Sequence, residues 1–453
     1  MSKNLLIKAA FVLCGVAIGS SAAMADTVAD LGAKLTPIGA ERAGNADGTI
    51  PAWEGGITTP PAGFTLGSDY VDPFAADKKL FSIDGSNAAQ YKDKLTAGQL
   101  AMIARYKDYR MDVYPTRRSC AYPQRLYDKT KEDVGVARLD PATNDLVAAV
   151  PGGVPFPLPK TGAEVMWNHR TAFDSFGRSV SGTTAVVDKS GGFVPLKWDE
   201  ARLSSYYNPA NTTFDALKNI QLKYFTLYTA PARVAGEMYL VHETLNGERN
   251  AWLYSPGLRR VRRAPTLSYD NPVSGYEGLA ASDQLYMYNG RLDRYEWKLV
   301  GKKELYIPYN NYEFANSRHK VAEITQPHFP NPDLGRYELH RVWVVEANLK
   351  PGIRHLLPRR IFYVDEDSWR IVATDIYDGQ NKLWRYQEET TLNVYDLPAC
   401  FGFGQAVYDF QAERYILDLV FNDDKRPDFH AETSGAADEK MFDVGELRKR
   451  GTR

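Results

Sequence analysis

Seven histidines, a run of arginines, a few paired carboxylates and two retained cysteines are the groups in this chain whose types and spacing bear on chemistry. His169, His242, His319, His328, His340, His355 and His430 are spread along the sequence. None forms a metal-ligand pair on a helix and no HExxH run occurs. His242 and His340 fall among apolar strand residues, where a hydrogen-bonded core imidazole is the ordinary reading. Asp365 with Asp367, and Asp423 with Asp424, sit at turn positions, and a calcium loop needs a denser run of oxygen ligands. There is no GxSxG elbow, no GxxxxGK[ST] loop and no strand-linked GxGxxG; Gly402-Phe403-Gly404 reads as a turn. No metal, cofactor or catalytic residue is therefore expected, with the reservation that catalytic groups can converge from distant positions.

Arg259, Arg260, Arg262 and Arg263 surround the single apolar Val261. In a strand Arg259, Val261 and Arg263 share one face, and Arg260 and Arg262 the other. Two readings stand side by side. Guanidinium groups bind carboxylate and phosphate bidentately, which suits an anionic head group or an acidic partner surface. The same groups also pair weakly with Asp and Glu of adjacent strands.

Lys3 and Lys8, the apolar run 9–18 and Ala23-Met24-Ala25 before Asp26 read as a secretory leader cleaved after Ala25, which places the product in the periplasm. The run is shorter than the roughly 20 residues a membrane span needs. Cys14 follows Leu13, where a lipoprotein signal wants a small residue, and leaves with the leader. Of 55 basic and 56 acidic residues, removing Lys3 and Lys8 leaves 53 against 56, a charge of −3. That is no footprint for nucleic acid. Cys120 and Cys400 remain and have no CxxC spacing. In an oxidising compartment they are expected to pair, the alternative being two buried free thiols.

The elements that must position these groups follow from period and punctuation. Residues 26–85 are rich in Gly and Pro and read as an extended arm laid over the body. Residues 86–178 read as a helical and irregular cover, with capping-box spacing at Thr96–Gln99 and at Thr161–Glu164. From 179 to 421 the period becomes two, with strands expected at 179–188, 219–229, 237–245, 249–254, 295–306, 336–349, 354–365, 369–377, 382–394 and 405–421. Short connections at Asn246-Gly247, Asp365–Asp367 and Asp378-Gly379 make neighbours antiparallel. Residues 422–453 read as a polar, loosely held tail with a short helix at 440–449. The strands are apolar on both faces, so the sheet must be covered on both sides. Either two layers pack on it, or one face lines a cavity.

Several runs are similar to one bacterial family. LTPIGAERAGNADGTIPAWEGGI (35–57), GGVPFPLPKTGAEVMWNH (152–169), the aromatic and arginine-bearing segment 251–312 and RRIFYVDEDSWRIVATDIYDGQNKLWR (359–385) resemble the periplasmic family known as domain of unknown function 1329, which looks related to the lipoprotein carriers LolA and LolB. The resemblance spans nearly the whole chain after the leader. It implies a mostly β fold with some α: one large curved antiparallel sheet, a LolA/LolB-like half-barrel, covered by helices and the N-terminal arm. It also implies a carrier of a lipid-like molecule or lipoprotein acyl chain, with an efflux-type inner-membrane transporter and an outer-membrane partner. Tyr228, Leu240, Trp252, Trp343, Val344, Phe362 and Trp384 are the residues expected to touch the cargo, since aromatic rings give an apolar wall with polar edges. The rival readings are an envelope scaffold using the same sheet as a solid core, and a lipid-acting enzyme, which would need a polar group with a strongly shifted pKa inside the cavity.

Overall fold

Apolar residues on both faces of most strands dictate a sheet buried on both sides, and the computed structural model has that arrangement over the residues it describes, 26–264 and 269–451. The leader expected at 1–25 lies outside the described residues. In chain order the strands are β1 Phe81–Ile83, β2 Met111–Val113, β3 Arg138–Leu139, β4 Leu146–Ala148, β5 Gly177–Val187, β6 Pro195–Ser204, β7 Ile220–Ala230, β8 Met238–Thr244, β9 Asn250–Ser255, β10 Arg260–Arg263, β11 Tyr295–Pro308, β12 Tyr337–Leu349, β13 Arg359–Asp365, β14 Ile371–Tyr377, β15 Leu383–Val394, β16 Ala399–Asp409 and β17 Arg414–Val420.

Apart from the small β3–β4 pair, these form one sheet in the order β1-β2-β12-β13-β14-β15-β16-β17-β5-β6-β7-β8-β9-β10, with β11 branching off β12. Pairing is antiparallel except at one contact, Tyr337 of β12 with Val113 of β2. The all-antiparallel expectation is corrected there: β2 enters from the cover and not through a hairpin, so nothing constrains its direction. The sheet is open, and its path ends at β1 and β10.

Alternation sorts side chains between two cores. Val342 and Val344 of β12, Tyr363 of β13, Tyr386 of β15 and Leu417 of β17 face a core closed by helix α1 (Ala97–Arg105) and residues 309–334. The intervening Val345, Ala347, Phe362 and Val364 face the opposite core, closed by α2 (Gln124–Asp133), α3 (Gly162–Arg170) and Ile38 of the arm. Both expected capping boxes form: Thr96 Oγ1 accepts from Gln99 N at 3.0 Å and Thr161 Oγ1 from Glu164 N at 3.2 Å. Asp375 of β14 anchors α1 by accepting from Gly98 N at 2.7 Å and Ala97 N at 3.1 Å. A Cβ on Gly98 would lie 2.0 Å from the Tyr386 ring, so the helix sits this close only with glycine there.

Three expectations about elements need correcting. Residues 405–421 form two strands, because β16 and β17 turn through Phe410–Glu413 without Gly or Pro to mark it; Glu413 takes the left-handed backbone itself (φ 54°). β6 was missed because Lys197, Asp199, Glu200 and Arg202 hide its alternation. The polar tail is firmly packed, not loosely held: Ala431, Phe442 and Leu447 are buried against Leu203, Phe225, Met238 and Leu240, and the final helix is Val444–Gly451. Its few apolar residues are diluted by charge, which conceals them from composition.

Cys120 and Cys400 form a disulfide across 280 residues with Cα atoms 5.7 Å apart, joining the cover to β16. The arm is fastened beside it, with Trp53 Nε1 donating to Cys120 O at 3.0 Å and Trp369 Nε1 to Ile38 O at 3.0 Å.

Candidate functional site

Period two along β7 places Tyr224, Thr226 and Tyr228 on one face, and along β8 it places Tyr239 and Val241 beside them. Residues 269–294, which connect β10 to β11 with little regular structure, cross over this face. Three adjoining cavities of about 70, 80 and 60 Å³ lie on this face of the sheet, bordered by that segment, and Tyr224 lines all three. One end is walled mainly by Trp198, Tyr228, Tyr239, Val241, Val273 and Leu285, with Arg249, Glu200 and Asp418 also on its border. The other is walled by His169, Asp174, Glu200, Arg202, Glu243 and Arg370.

The charged end is tied together by ion pairs, although the Nε atoms of Arg178 and Arg202 are buried without a partner. Arg178 donates to Asp174 at 2.8 Å and to Glu200 at 2.6 Å, and Arg202 donates to Asp174 at 2.7 Å. Burial alone would raise the Asp174 carboxyl, but Arg202 and Arg178 hold it below the usual carboxylate range. The Tyr286 hydroxyl lies 2.8 Å from both Glu200 oxygens and accepts from Arg178 at 2.9 Å. Burial pushes that phenol well above its ordinary value. His169 accepts from Ile371 N at 3.1 Å through Nδ1, so its proton sits on Nε2, 3.1 Å from Tyr286 O. Burial, reinforced by Arg370, lowers the His169 pKa to about 3. Asp174, Tyr286 and His169 are thereby each held in one protonation state near neutral pH. The imidazole has both nitrogens engaged by backbone, which leaves it positioning the crossing segment and not moving protons.

Tyr286 and Met287 both have left-handed backbone, at φ 52° and 67°. Such conformations cost on the order of 1–2 kcal/mol per non-glycine residue. They are held here by Tyr286 on Glu200 and by Met287 buried in the core behind it. What the arrangement offers chemically is a gradient: aromatic and aliphatic walls grading into balanced charge, under a segment held by side-chain contacts.

A family model described as "Protein of unknown function (DUF1329)" matches residues 82–448. The chain belongs to the DUF1329 family. It is 42% identical over 440 residues to the uncharacterized protein PA3922 of Pseudomonas aeruginosa, covering 96% of this chain and 95% of that one. Three solved structures are similar in outline. An outer-membrane lipoprotein-sorting protein domain from Vibrio parahaemolyticus has TM-score 0.42 and 14% identity, over 64% of this chain and 98% of that one. A DUF1329 protein from Desulfovibrio piger has TM-score 0.42 and 13% identity, over 63% and 97%. A LolA superfamily protein from Nitrosomonas europaea has TM-score 0.38 and 12% identity, over 64% and 100%. Among the described residues no helix is long and apolar enough to cross a membrane.

In this DUF1329 chain the seven residues expected to touch cargo do not converge. Tyr228 lines two of the three cavities. Phe362 shares that side of the sheet but is fully buried against Tyr288 and Trp297, with ring centres 5.5 and 5.8 Å away. Trp343 stacks on Trp369 at 6.2 Å beneath Lys302 and, with Lys302 and Pro155–Pro159, lines a separate cavity of about 560 Å³. Leu240 and Trp252 lie on the opposite face with the C-terminal segment, and Val344 faces the α1 core. Trp384 donates to Asp409 at 3.1 Å at the start of β15. Tyr224, Thr226, Tyr239 and Val241 were not among the expected cargo residues, although stepping by two from Tyr228 finds the first two and alternation sets Tyr239 and Val241 opposite Leu240. Arg260, Arg262 and Arg263 are exposed on the edge strand β10, Arg259 sits in its turn with φ 49°, and Arg263 donates to Asn250 at 2.8 Å.

Proposed function

We propose that this protein is a periplasmic, non-catalytic carrier of a hydrophobic or amphipathic ligand, lipid-like or lipoprotein acyl, which it holds between β6–β8 and residues 269–294 during transfer between membranes. The single observation that supports this reading is the chain of three cavities grading from aromatic to charged walls under an irregular cover. An acyl chain of about 16 carbons left in water costs on the order of 10 kcal/mol at roughly 0.8 kcal/mol per methylene, and a carrier removes that barrier by offering apolar surface in transit. Ligand pockets for drug-sized molecules run to about 300 Å³ and more. Loading therefore requires the crossing segment to lift, and the left-handed Tyr286-Met287 pair is where that movement starts. An efflux-type inner-membrane transporter and an outer-membrane acceptor are the partners this role calls for, with the arginine edge of β10 as the surface that meets a head group or an acidic partner.

The small size of the separate cavities favours the second reading, an envelope scaffold with a packed sheet. Titration with an environment-sensitive apolar dye, followed by displacement with a long-chain fatty acid or phospholipid, separates the two. The carrier reading expects about one dye per chain, displaced by lipid. A folded protein that binds neither is a scaffold.

A further inference from the structure

The sequence reads Asp365–Asp367 as the hairpin turn between β13 and β14, and three carboxylates in a turn would ordinarily face solvent. The turn is instead buried throughout, with Asp365, Glu366, Asp367, Ser368, Trp369 and Arg370 all at 4% exposure or less. Register pairs Val342 of β12 with Asp365, which brings His340, two residues along, beside the turn. One ligand atom each from His340, Asp365 and Asp367 then lie within 4.8 Å of one another.

The surroundings fix the chemistry of this trio. His340 Nε2 is 3.1 Å from Glu338 Oε2. Glu338 is a carboxylate that already accepts from Arg336 Nε at 2.7 Å, Asn310 Nδ2 at 3.0 Å and Arg117 N at 2.7 Å. The imidazole hydrogen is therefore on Nε2, and Nδ1 presents its lone pair near Asp367 Oδ2, 4.0 Å away. A carboxylate that orients the far nitrogen of a histidine is the usual support for a metal-binding imidazole. Two acceptors and a third from Asp365 thus lie close together, with Arg118 Nε donating to Asp367 Oδ2 at 2.8 Å from one side.

The ion pairs of the neighbourhood leave one carboxylate over. Asp367 is bound by Arg118 at 2.6 and 2.8 Å, Glu366 by Lys302 at 2.7 Å, and Glu338 by Arg336. Asp365 has no cationic side chain within ion-pair distance among the described residues. Its Oδ2 accepts from Ser368 Oγ at 2.6 Å and lies 3.5 Å from the Tyr309 hydroxyl, while its Oδ1 is fully buried without a partner. A buried, unpaired carboxylate oxygen is costly.

We propose that His340, Asp365 and Asp367 form a binding site for one divalent transition-metal ion of the Zn²⁺ type. One imidazole nitrogen and two carboxylate oxygens make a donor set that Zn²⁺ accepts, whereas Ca²⁺ and Mg²⁺ prefer all-oxygen shells. The ion would bind β12 to the β13–β14 turn. Arg118, which holds Asp367, also donates to Glu41 O of the arm at 2.8 Å. The metal would thereby secure the arm over the sheet. This role is structural and independent of any ligand carried elsewhere.

The test uses untagged, full-length mature protein. It is stripped with a chelator, dialysed against Zn²⁺, and its metal content counted; thermal unfolding is followed with and without Zn²⁺. One tightly held ion per chain and a clear rise in Tm are expected, both lost in Asp365→Asn and in His340→Gln. Should those variants not fold, Co²⁺ loaded into the wild-type protein decides by its visible absorption, which reports a nitrogen–oxygen shell. Metal at trace level after dialysis with an unmoved Tm, or folded variants that keep the ion, would overturn the proposal.

Discussion

Leu240 and Val241 are consecutive residues of β8 that serve different sides of the sheet. Leu240, 0% exposed, packs beneath Ala431, Phe442 and Leu447, whereas Val241 lines the cavity beside Tyr239 and Leu285. Leu240→Glu buries an uncompensated charge in a closed core and should cost on the order of 4 kcal/mol or more. Val241→Glu should cost less and abolish dye and lipid binding in a protein that still folds. Urea denaturation and dye titration of the two variants check this. Equal destabilisation with no ligand bound by either the variants or the wild type would favour the scaffold.

Stability should fall as pH rises through the weakly acidic range, in part because of Glu388. Burial pushes its carboxyl from 4.5 up to about 7, while Tyr386 and Tyr337 donate to it at 2.7 and 2.9 Å. Between those values the native state keeps the proton and the unfolded state has lost it. Stabilisation is therefore full at the acidic end, declines as pH rises, and levels off above about 7. The span corresponds to about 3 kcal/mol. Glu388→Gln should flatten this part of the profile, read from urea midpoints across the range; an unchanged slope would assign the dependence to other groups.

The Cys120–Cys400 bridge closes so long a loop that chain-entropy arithmetic gives roughly 5 kcal/mol, a model-dependent ceiling. In protein from its own compartment, denaturation without reductant should leave both thiols resistant to alkylation. A Cys120→Ala/Cys400→Ala double variant should melt several degrees lower and expose the arm at Trp53 to proteolysis. Complete alkylation without reductant would remove the claim.

Reversal of charge at the open edge, Arg260→Glu with Arg262→Glu, should weaken binding to anionic vesicles by more than about tenfold, since each basic side chain near such a surface contributes about 1 kcal/mol. Sedimentation at low and high salt measures it, and salt should erase the wild-type binding. Wild-type protein that ignores anionic vesicles at low salt would leave the acidic partner surface as the role of these arginines.

Much of the sheet was legible because burial on both faces writes apolar residues at most strand positions, and the starts of α1 and α3 were legible because a capping box is local. The β16–β17 turn was not, since Glu413 adopts a conformation usually marked by glycine. The cavity was only half readable. Tyr228 announces its own face, but the partners supplied by Leu285 and Tyr286 come from a segment without period. The trio of His340, Asp365 and Asp367 was illegible for a similar reason: Asp365–Asp367 looks like a turn, and only strand register brings His340 to it.

The seam of the sheet has a consequence for how the chain acquires its shape. β5, residues 177–187, pairs with β17, residues 414–420, and Ile38 is fastened to Trp369 across 331 positions. A ribosome delivers the early partner of each pair long before the late one exists. Neither half of the sheet can bury its strands until almost the whole chain is present. Pairings of such high sequence separation form slowly, and apolar strand edges left uncovered in the meantime are open to aggregation.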